Sequence, residues 1–390
     1  MTSVLLDATA LPADRGGVGR YVDALVAHHD RMGVQLHVVA QSRDRDHYLG
    51  YLDPDRVHVA PRHIEPVPVR LAWEQLGLPA LVRRLRPDAL FGPHYTTPLL
   101  TAGPRSVPAV VTLHDATFFS HPEVHTAFKR RFFTTWTRLS AGRAAALVVP
   151  SAATRDEVVT HTGADPARFV VIPHGVDHER FRPPSAEQVA AARAWAGVGP
   201  HAAYLAFLGT LEPRKNVPAL VRAFVEVCRE RPNPPDLVLA GGRGWDGDIE
   251  PAVAAAPDGL AVRRPGFIPD ELVAGFLGGA TAVVYPSLGE GFGLPVLEAM
   301  ACGAPVLTTR LLALPEVGGD AVAYAASPAV ADIAAALRRL LDDERWRADL
   351  REAGVRRARE FTWEASARAH GAVLARVARR GNPGGREAAR

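Results

Sequence analysis

Short apolar runs alternate with segments of helical spacing along most of the chain. The runs are β-branched and bounded by glycine or proline, which is typical of strands buried on both faces of a parallel sheet. Between them, Tyr21, Val22, Leu25 and Val26 share one face of a predicted helix. We therefore predict parallel sheets covered by helices. The predicted strands are residues 4–6, 35–40, 89–91, 109–113, 145–149 and 169–172, then 204–208, 237–240, 282–285, 305–308 and 321–324.

The series of strands is interrupted once, at residues 178–201. This stretch begins with Pro183 and Pro184 and continues as an Ala-rich polar segment. Ligands of doubly wound sheets bind outside the carboxyl ends of the strands, so we expect two Rossmann-like α/β domains that face each other across a cleft. The predicted divisions are a first domain (1–183), a second domain (184–362), a helix that crosses back to the first domain (363–380) and a frayed tail (381–390).

Composition and charge narrow the class of protein. Of 390 residues, 47% are apolar and 22% are charged, which is ordinary for a globular protein and excludes wholesale disorder. The net charge of +3 is too balanced for a nucleic-acid-binding protein. Cys228 and Cys302 cannot build a disulfide framework, and we expect neither a signal peptide nor a membrane-spanning segment. We expect a cytoplasmic protein that is soluble or peripheral at the inner membrane face.

The strongest candidate site is a glycine-rich loop between a strand and a helix, at residues 285–303 (YPSLGEGFGLPVLEAMACG). Pro295 suits the first turn of that helix, whose free N–H groups and dipole favour phosphate. Glu290 and Glu298 are carboxylates of the kind that accept hydrogen bonds from sugar hydroxyls. The segment therefore predicts a site for a phosphate with a hydroxylated group on either side.

A second candidate site follows another predicted strand, at residues 209–216 (GTLEPRKN). Arg214 and Lys215 are adjacent cations in a loop that leads into a helix. Arginine binds phosphate in a bidentate manner and lysine acts as a point charge, so the pair could neutralise a diphosphate. The alternative is a solvated helix cap in which these cations pair with Glu212.

Two further motifs end strands of the first domain. Gly16, Gly17 and Gly19 precede a helix, but Val22 stands where a dinucleotide fingerprint has its third glycine. These glycines contact a phosphate or an acceptor, or serve packing alone. His114 ends the strand 109–113 and can donate or accept a hydrogen bond near neutral pH.

Two other features have mainly structural interpretations. The three D-x-D pairs at 44–46, 53–55 and 246–248 could bridge a metal ion to a diphosphate, but we expect surface turns because none directly follows an apolar strand. The segment 128–136 (FKRRFFTTW) is aromatic and basic. We expect its aromatic residues to face the core, and docking on an anionic membrane is the alternative.

Together these motifs resemble the retaining glycosyltransferases of family 4, which have the GT-B fold. The segment from Glu290 to Glu298 is similar to that family's E-x7-E element, and residues 209–216 to its phosphate loop. The segment 212–216 (EPRKN) is most similar to the corresponding segment of bacterial mannosyltransferases. The chain departs from many members at Thr210, where they carry arginine, so that Arg214 and Lys215 would hold the diphosphate with one cation fewer.

The resemblance also implies roles for the other residues. Glu298 would accept from the ribose hydroxyls, Glu290 would orient the donor sugar, His114 would touch the sugar near the reacting carbon, and Gly17 would approach the phosphate or the acceptor. Backbone near the sugar would come from Phe292, Gly293 and Leu294.

The resemblance implies a retaining transfer of a hexose from a nucleotide-sugar donor to a saccharide or lipid-linked acceptor. The resemblance favours GDP-mannose as the donor, from which mannose would be transferred. Neither a metal nor a cofactor is expected beyond the donor as co-substrate. The leaving phosphate would help to deprotonate the acceptor on the same face of the sugar. The main alternative is a nucleotide-sugar epimerase or hydrolase on the same fold. An NAD-dependent oxidoreductase is disfavoured by the broken glycine fingerprint, and a silent binding protein by the charged motifs.

Overall fold

The computed structural model describes residues 1–13, 15–99 and 106–381. The chain forms two compact units. The first contains residues 1–122 and 126–175 and the chain from Trp363 on, and the second contains residues 123–125 and 176–362. The predicted tail lies outside the described residues apart from Gly381.

The first unit contains a seven-stranded parallel sheet in the order β3-β2-β1-β4-β5-β6-β7. Every predicted strand of the first series is present. The order reverses between β1 and β4, which pair directly, and this is the position at which doubly wound sheets bind ligands. The strands are β1 (Ser3–Asp7), β2 (Gln35–Ala40), β3 (Val57–Val59), β4 (Ala89–Gly92), β5 (Ala109–Thr112), β6 (Ala146–Val149) and β7 (Phe169–Val171).

Helices cover both faces of this sheet. Tyr21, Val22, Leu25 and Val26 are buried on one helix, as their spacing predicts. The helices are α1 (Gly16–Ala27), α2 (Arg45–Leu49), α3 (Val67–Leu76), α4 (Leu78–Leu85), α5 (Thr117–Ser120), α6 (Ala127–Arg143), α7 (Ala152–Thr162) and, from the far end of the chain, α16 (Trp363–Gly381). Trp363, Leu374 and Val377 of α16 lie in the same hydrophobic cluster as Tyr21 and Val22.

The second unit repeats the architecture with six parallel strands in the order β10-β9-β8-β11-β12-β13. Its strands are β8 (Tyr204–Leu208), β9 (Asp236–Ala240), β10 (Val262–Gly266), β11 (Ala282–Tyr285), β12 (Val306–Thr309) and β13 (Ala323–Ala325). Its helices are α8 (Ala186–Ala196), α9 (Val217–Cys228), α10 (Ile249–Ala254), α11 (Val273–Gly278), α12 (Leu294–Ala301), α13 (Leu314–Gly318), α14 (Val330–Asp342) and α15 (Glu344–Ala358).

The chain enters the second unit at Val176, before the predicted boundary at 183. The backbone of Val176 bridges to Thr362, and its N–H donates to the carbonyl oxygen of Phe361 at 3.2 Å. Phe181 is buried in the core of the second unit. The proline pair that marks the predicted boundary therefore already belongs to the second unit.

The expectation of a core-facing aromatic stripe on α6 is wrong for Phe128 and confirmed for Phe133, which packs against a hydrophobic cluster of the first unit. Phe128 is 71% exposed, and Phe132 and Trp136 are only partly buried. Their rings follow one another along the helix, with centroids 6.2 and 6.3 Å apart. The small side chains of Thr137, Ser140 and Ala141 form the buried face instead, because they let the helix approach the sheet closely.

Candidate functional site

The reversal of strand order in the second unit brings two predicted loops together. Strands β8 and β11 are neighbours, so the loops that follow their carboxyl ends meet at one edge of the sheet. The N–H of Leu288 donates to the carbonyl oxygen of Arg214 at 2.8 Å. The glycine-rich loop and the loop of residues 209–216 are therefore in direct contact.

The glycine-rich loop ends where helix α12 begins. Gly293 precedes the helix with φ +106°, a conformation that favours glycine, and Pro295 occupies the first turn as predicted. Leu294 is half-buried as the first helical residue. The ring of Phe292 packs against Phe361 with centroids 5.8 Å apart. The side chain of Phe292 therefore belongs to the hydrophobic core of the second unit.

Arg214, Lys215 and Glu290 converge in a buried ion-pair network. Nη1 of Arg214 lies 2.6 Å from Oε2 of Glu290, and Nζ of Lys215 lies 2.6 Å from Oε1 of the same carboxylate. Nη2 of Arg214 also pairs with Oε1 of Glu212 at 2.6 Å. Two cations thus face two carboxylates. The alternative pairing with Glu212 is present, together with a pairing with Glu290 that the sequence did not predict.

The sequence motifs did not single out Tyr285 and Ser287, which complete this network. The Tyr285 hydroxyl donates to Oε1 of Glu290 at 3.0 Å and contacts Nζ of Lys215. The Ser287 hydroxyl donates to the same carboxylate oxygen at 2.8 Å. Both lie within five residues of Glu290 at the end of a buried strand, and this proximity was the available signal.

The network keeps Glu290 ionised. Burial alone would raise the pKa of this carboxyl, but Arg214 and then Lys215 outweigh burial and bring the pKa to about 2. For Lys215, burial and the neighbouring Arg214 lower the pKa below the usual lysine value, against the opposing effect of Glu290. The charges of Arg214 and Lys215 are therefore already balanced by those of Glu290 and Glu212.

Glu298 lies on α12, about one turn from the helix start, and is 3% exposed. Burial, followed by the charge of Glu298, raises the pKa of the Cys302 thiol above its ordinary value. Glu298 is therefore a buried carboxylate on the helix next to the Glu290 network.

A third loop supports the phosphate loop and was overlooked in the sequence. After β9, the carbonyl oxygen of Gly242 accepts from the N–H of Leu211 at 2.9 Å. A Cβ on Gly244 would lie 1.9 Å from the carbonyl oxygen of Leu211, so only glycine allows this approach. The run G-G-R-G after an apolar strand was the signal that could have identified it.

In the first unit, the predicted glycine motif forms the first turn of α1 rather than a loop before it. The helix begins at Gly16, which has φ +54°, and Gly17 is exposed. The N–H groups of a first helical turn have no partner within the helix, so Gly17 offers a donor to a ligand. Gly19 is buried, and a Cβ there would lie 2.7 Å from Cβ of Arg15.

His114 follows β5 at the carboxyl edge of the first sheet and is half-buried. Its Nε2 lies 2.6 Å from the carbonyl oxygen of Pro93, so Nε2 carries the hydrogen and donates. Burial lowers the pKa of the ring to about 4, against the raising effects of this hydrogen bond and of Asp115. His114 is therefore neutral at neutral pH, and its Nδ1 can accept a hydrogen bond from a hydroxyl.

The described residues contain no group of histidine, cysteine, aspartate or glutamate that could hold a metal ion. The expectation of surface turns is wrong for Asp44, which is 6% exposed and pairs with Arg15 at 3.3 Å. Asp53, Asp55 and Asp248 are exposed as expected.

Comparisons with known proteins agree with these motifs. Two family models match, Glycosyltransferase Family 4 over residues 15–180 and Glycosyl transferases group 1 over residues 197–357. The O-antigen chain mannosyltransferase B of Escherichia coli is 32% identical over 262 residues, which cover 66% of this chain and 67% of that protein. The chain belongs to glycosyltransferase family 4. Its two parallel-sheet α/β units are those of the GT-B fold.

Other relatives are named for a different activity. The D-inositol 3-phosphate glycosyltransferase of Kineococcus radiotolerans is 36% identical over 264 residues, or 60% of this chain and 59% of that protein. The match thus spans less than two thirds of that relative's length.

Solved structures support the fold. Anabaena HepE in complex with UDP and glucose has a TM-score of 0.74 at 18% identity, covering 96% of this chain and 100% of that one. WaaG, a glycosyltransferase involved in lipopolysaccharide biosynthesis, has a TM-score of 0.71 at 16% identity, with 95% and 99% coverage. At these identities the likeness carries the GT-B architecture alone.

Proposed function

We propose that this family 4 member is a retaining glycosyltransferase that moves a hexose from a nucleoside-diphosphate sugar to a saccharide or lipid-linked acceptor. The observation that carries the proposal is the convergence of Arg214, Lys215 and Glu290 at the ends of two adjacent strands. The proposed donor is GDP-mannose, from which mannose is transferred. The similarity to an O-antigen chain mannosyltransferase supports it, and HepE, which was solved with UDP, makes a UDP-sugar the competing choice.

The chemistry requires the bond between the sugar's C1 and a phosphate oxygen to break. Negative charge then develops on the leaving diphosphate, where preorganised cations and backbone N–H groups lower the barrier most. Arg214, Lys215 and the start of α12 would supply that stabilisation. We propose that these groups take the place of a metal ion, so that transfer persists in EDTA.

Exchange of partners follows from the charge balance of the network. When the diphosphate takes over Arg214 and Lys215, the Glu290 carboxylate becomes available to the hydroxyls of the donor sugar. The acceptor oxygen then bonds to C1 on the face that the diphosphate leaves, and the acceptor proton passes to the leaving phosphate oxygen. In the first unit, Gly17 would donate its N–H to the phosphate or the acceptor, and Nδ1 of His114 would accept from a sugar hydroxyl.

The test measures transfer with purified Lys215→Ala and Glu290→Ala enzymes, after a thermal-shift screen of GDP-, UDP- and ADP-sugars has identified the donor. Losing one such stabilising group costs about 100-fold to 1,000-fold in kcat. The matched control is Glu352→Ala, which removes an exposed carboxylate paired with Arg356 in the same unit. Near-normal turnover in both site variants would refute the assignment.

A separate assay addresses the epimerase or hydrolase alternative. The donor is incubated with enzyme but without acceptor, and the sugar products are analysed. A transferase releases little free sugar under these conditions. Rapid donor hydrolysis or conversion to an epimer would favour the alternative.

We also propose that α6 makes a peripheral contact with an anionic membrane. In the described part of the chain no helix is long and apolar enough to span a bilayer. Residues 127–143 carry Lys129, Arg130, Arg131, Arg138 and Arg143 and no acidic residue, next to the exposed ring of Phe128. Aromatic and basic side chains together are what an anionic interface binds.

Vesicle flotation tests this contact. We expect binding to vesicles containing phosphatidylglycerol, weak binding to pure phosphatidylcholine, and loss of binding in Phe128→Ala/Arg131→Ala. The control is Phe267→Ala in the second unit, where the phenylalanine is equally exposed at 72%. Equal flotation of the α6 variant and the control would contradict the proposal.

A further inference from the structure

A buried hydrogen-bond chain joins three segments of the first unit that are distant in sequence. Tyr21 of α1, Thr112 of β5 and His370 of α16 are each at most 1% exposed. The Tyr21 oxygen lies 2.9 Å from Oγ1 of Thr112 and 2.7 Å from Nε2 of His370. Nδ1 of His370 lies 2.8 Å from the carbonyl oxygen of Ser366. None of these four residues belongs to the motifs of the proposed function.

The direction of every hydrogen bond in this chain follows from the chemistry of its ends. A carbonyl oxygen only accepts, so Nδ1 of His370 carries the hydrogen and donates to Ser366. Burial lowers the pKa of His370 to about 4, so the ring is neutral and Nε2 is an acceptor. Tyr21 therefore donates to His370 and accepts from Thr112. Without its hydroxyl, a buried donor and a buried acceptor would both be unpaired.

This phenol lies between the two predicted site elements of the first unit. Tyr21 is one helical turn after Gly17 in α1, and Thr112 is two residues before His114. The Tyr21 ring also packs edge-on against the His114 ring, with centroids 4.9 Å apart and planes at 82°. One side chain therefore sets the first turn of α1 and the end of β5 relative to each other.

The third anchor, α16, is itself held rigidly against the first unit. A Cβ on Gly371 would lie 1.8 Å from the carbonyl oxygen of Met32, so the helix touches the backbone there and cannot slide without a clash. His370, the adjacent residue, thus presents Nε2 at a fixed point. Because a close-packed interior is hardly compressible, a shift of one residue at such a contact displaces its neighbour.

We propose that Tyr21 and His370 are positioning residues for sugar transfer, acting through the Gly17 turn and His114. The inference rests on the proposed function. Both side chains are too deeply buried to touch a substrate. Their effect is geometric, because a displacement of about 1 Å at a reacting group can cost about 100-fold in rate.

The kinetic test compares Tyr21→Phe, His370→Leu and His370→Gln. We expect the first two to lower kcat by about 10-fold to 100-fold with little change in the donor KM, because the nucleotide site of the second unit is untouched. The double variant should lose less than the product of the single losses, since both remove one hydrogen bond. His370→Gln supplies a side-chain oxygen that can accept from Tyr21, and it should recover most of the activity.

The control for a merely structural effect is Tyr204→Phe. Tyr204 is a buried tyrosine of the second unit whose hydroxyl donates to the carbonyl oxygen of Phe276 at 2.6 Å. We expect a similar fall in Tm and an unchanged kcat. An equal fall in kcat in Tyr204→Phe and Tyr21→Phe would overturn the inference.

Hydrogen exchange provides a readout that does not depend on transfer. Amides of residues 16–22 and 109–115 should exchange faster in Tyr21→Phe than in wild type or in Tyr204→Phe. If the wild-type enzyme transfers no sugar, the proposed function fails, and exchange still decides whether Tyr21 holds these segments. Wild-type exchange together with wild-type kcat in Tyr21→Phe would refute the inference.

Discussion

The two units differ in the side chains that they place near the carboxyl ends of their strands. The group in the second unit is charged, and the group in the first unit is neutral. In the second unit, Arg214, Lys215 and Glu290 form a charged network in which cations and carboxylates balance. In the first unit, His114, Tyr21 and His370 form a neutral group in which hydrogen-bond direction is fixed and burial lowers the pKa of both histidines to about 4. The charged region can exchange one anion for another, whereas the neutral region can only orient.

This difference fits a division of labour in the proposed reaction. The leaving group of the proposed reaction is an anionic diphosphate, which positively charged groups stabilise. The hydroxyl groups of the sugar and of the acceptor substrate need hydrogen-bonding partners at fixed positions. Neutral rings and backbone amides provide such partners. Variants that disturb the two regions should therefore differ in the size and the kind of their effects.

The largest expected effect is on the stability of the second unit. Glu290→Gln leaves Arg214 and Lys215 buried with one carboxylate fewer, and removing one partner of a buried ion pair typically costs about 3–5 kcal/mol in unfolding free energy. Removing the Tyr21 hydroxyl in the neutral region should cost less, about 1–3 kcal/mol. Denaturant unfolding followed by hydrogen exchange in each unit measures both.

Glu352→Gln, which alters an exposed carboxylate, is the control for that experiment. Added pyrophosphate should stabilise Glu290→Gln more than wild type, because it replaces the missing anion. A Glu290→Gln protein as stable as wild type would show that the network is not the balanced ion cluster described above.

An intermediate effect is expected for Glu212→Gln. Glu212 pairs with Arg214 at 2.6 Å and lies 3.9 Å from Lys215, so it competes with a diphosphate for the same cations. Removing its charge should tighten binding of the cognate nucleoside diphosphate by up to about 10-fold, or about 1.4 kcal/mol. Isothermal titration calorimetry measures the change.

The control for Glu212 is Glu226→Gln, which alters a half-exposed carboxylate 3.8 Å from Arg338 on the same unit. Its affinity should equal that of wild type. Weaker binding in Glu212→Gln would mean instead that Glu212 holds Arg214 in its binding position.

The smallest expected effect is that of pH, because kcat/KM should be constant around neutral pH. With pKa values of about 4 for His114 and about 2 for Glu290, neither group changes protonation between about pH 5 and 8. As pH falls through about 4, Nδ1 of His114 gains a proton and stops accepting hydrogen bonds, so kcat/KM should fall there. An inflection near pH 6.5 that disappears in His114→Asn would contradict this.

The sequence predicts all the central strands and two of the four edge strands, β7 and β13. The predicted strands are mostly apolar because most of them are covered on both faces, although β2 also contains Gln35 and His37. The missed strands, Val57–Val59 and Val262–Gly266, lie at the edges of their sheets, where one side needs no partner and polar residues are tolerated. The run V-R-R-P-G therefore has no pattern of a buried strand, and only its neighbour β9 defines it.

The candidate site was predictable where its chemistry is local in sequence. The loop around Glu290 and the pair Arg214 and Lys215 can be placed at strand ends from their own segments. The Tyr21–His370 contact was not predictable, because it joins residues 349 positions apart and Tyr21 has the spacing of an ordinary core residue. That pairing exists only because α16 packs on the first unit.

The docking of α16 has a consequence for biosynthesis. Domains generally fold as units while the ribosome elongates the chain from its N-terminal end. Most of the first unit is translated early. Its helix α16, which carries the buried His370 and covers part of the core, emerges only after residues 176–362. All residues of the second unit are thus synthesised before the helix that covers the first, whose apolar surface stays uncovered until α16 has emerged.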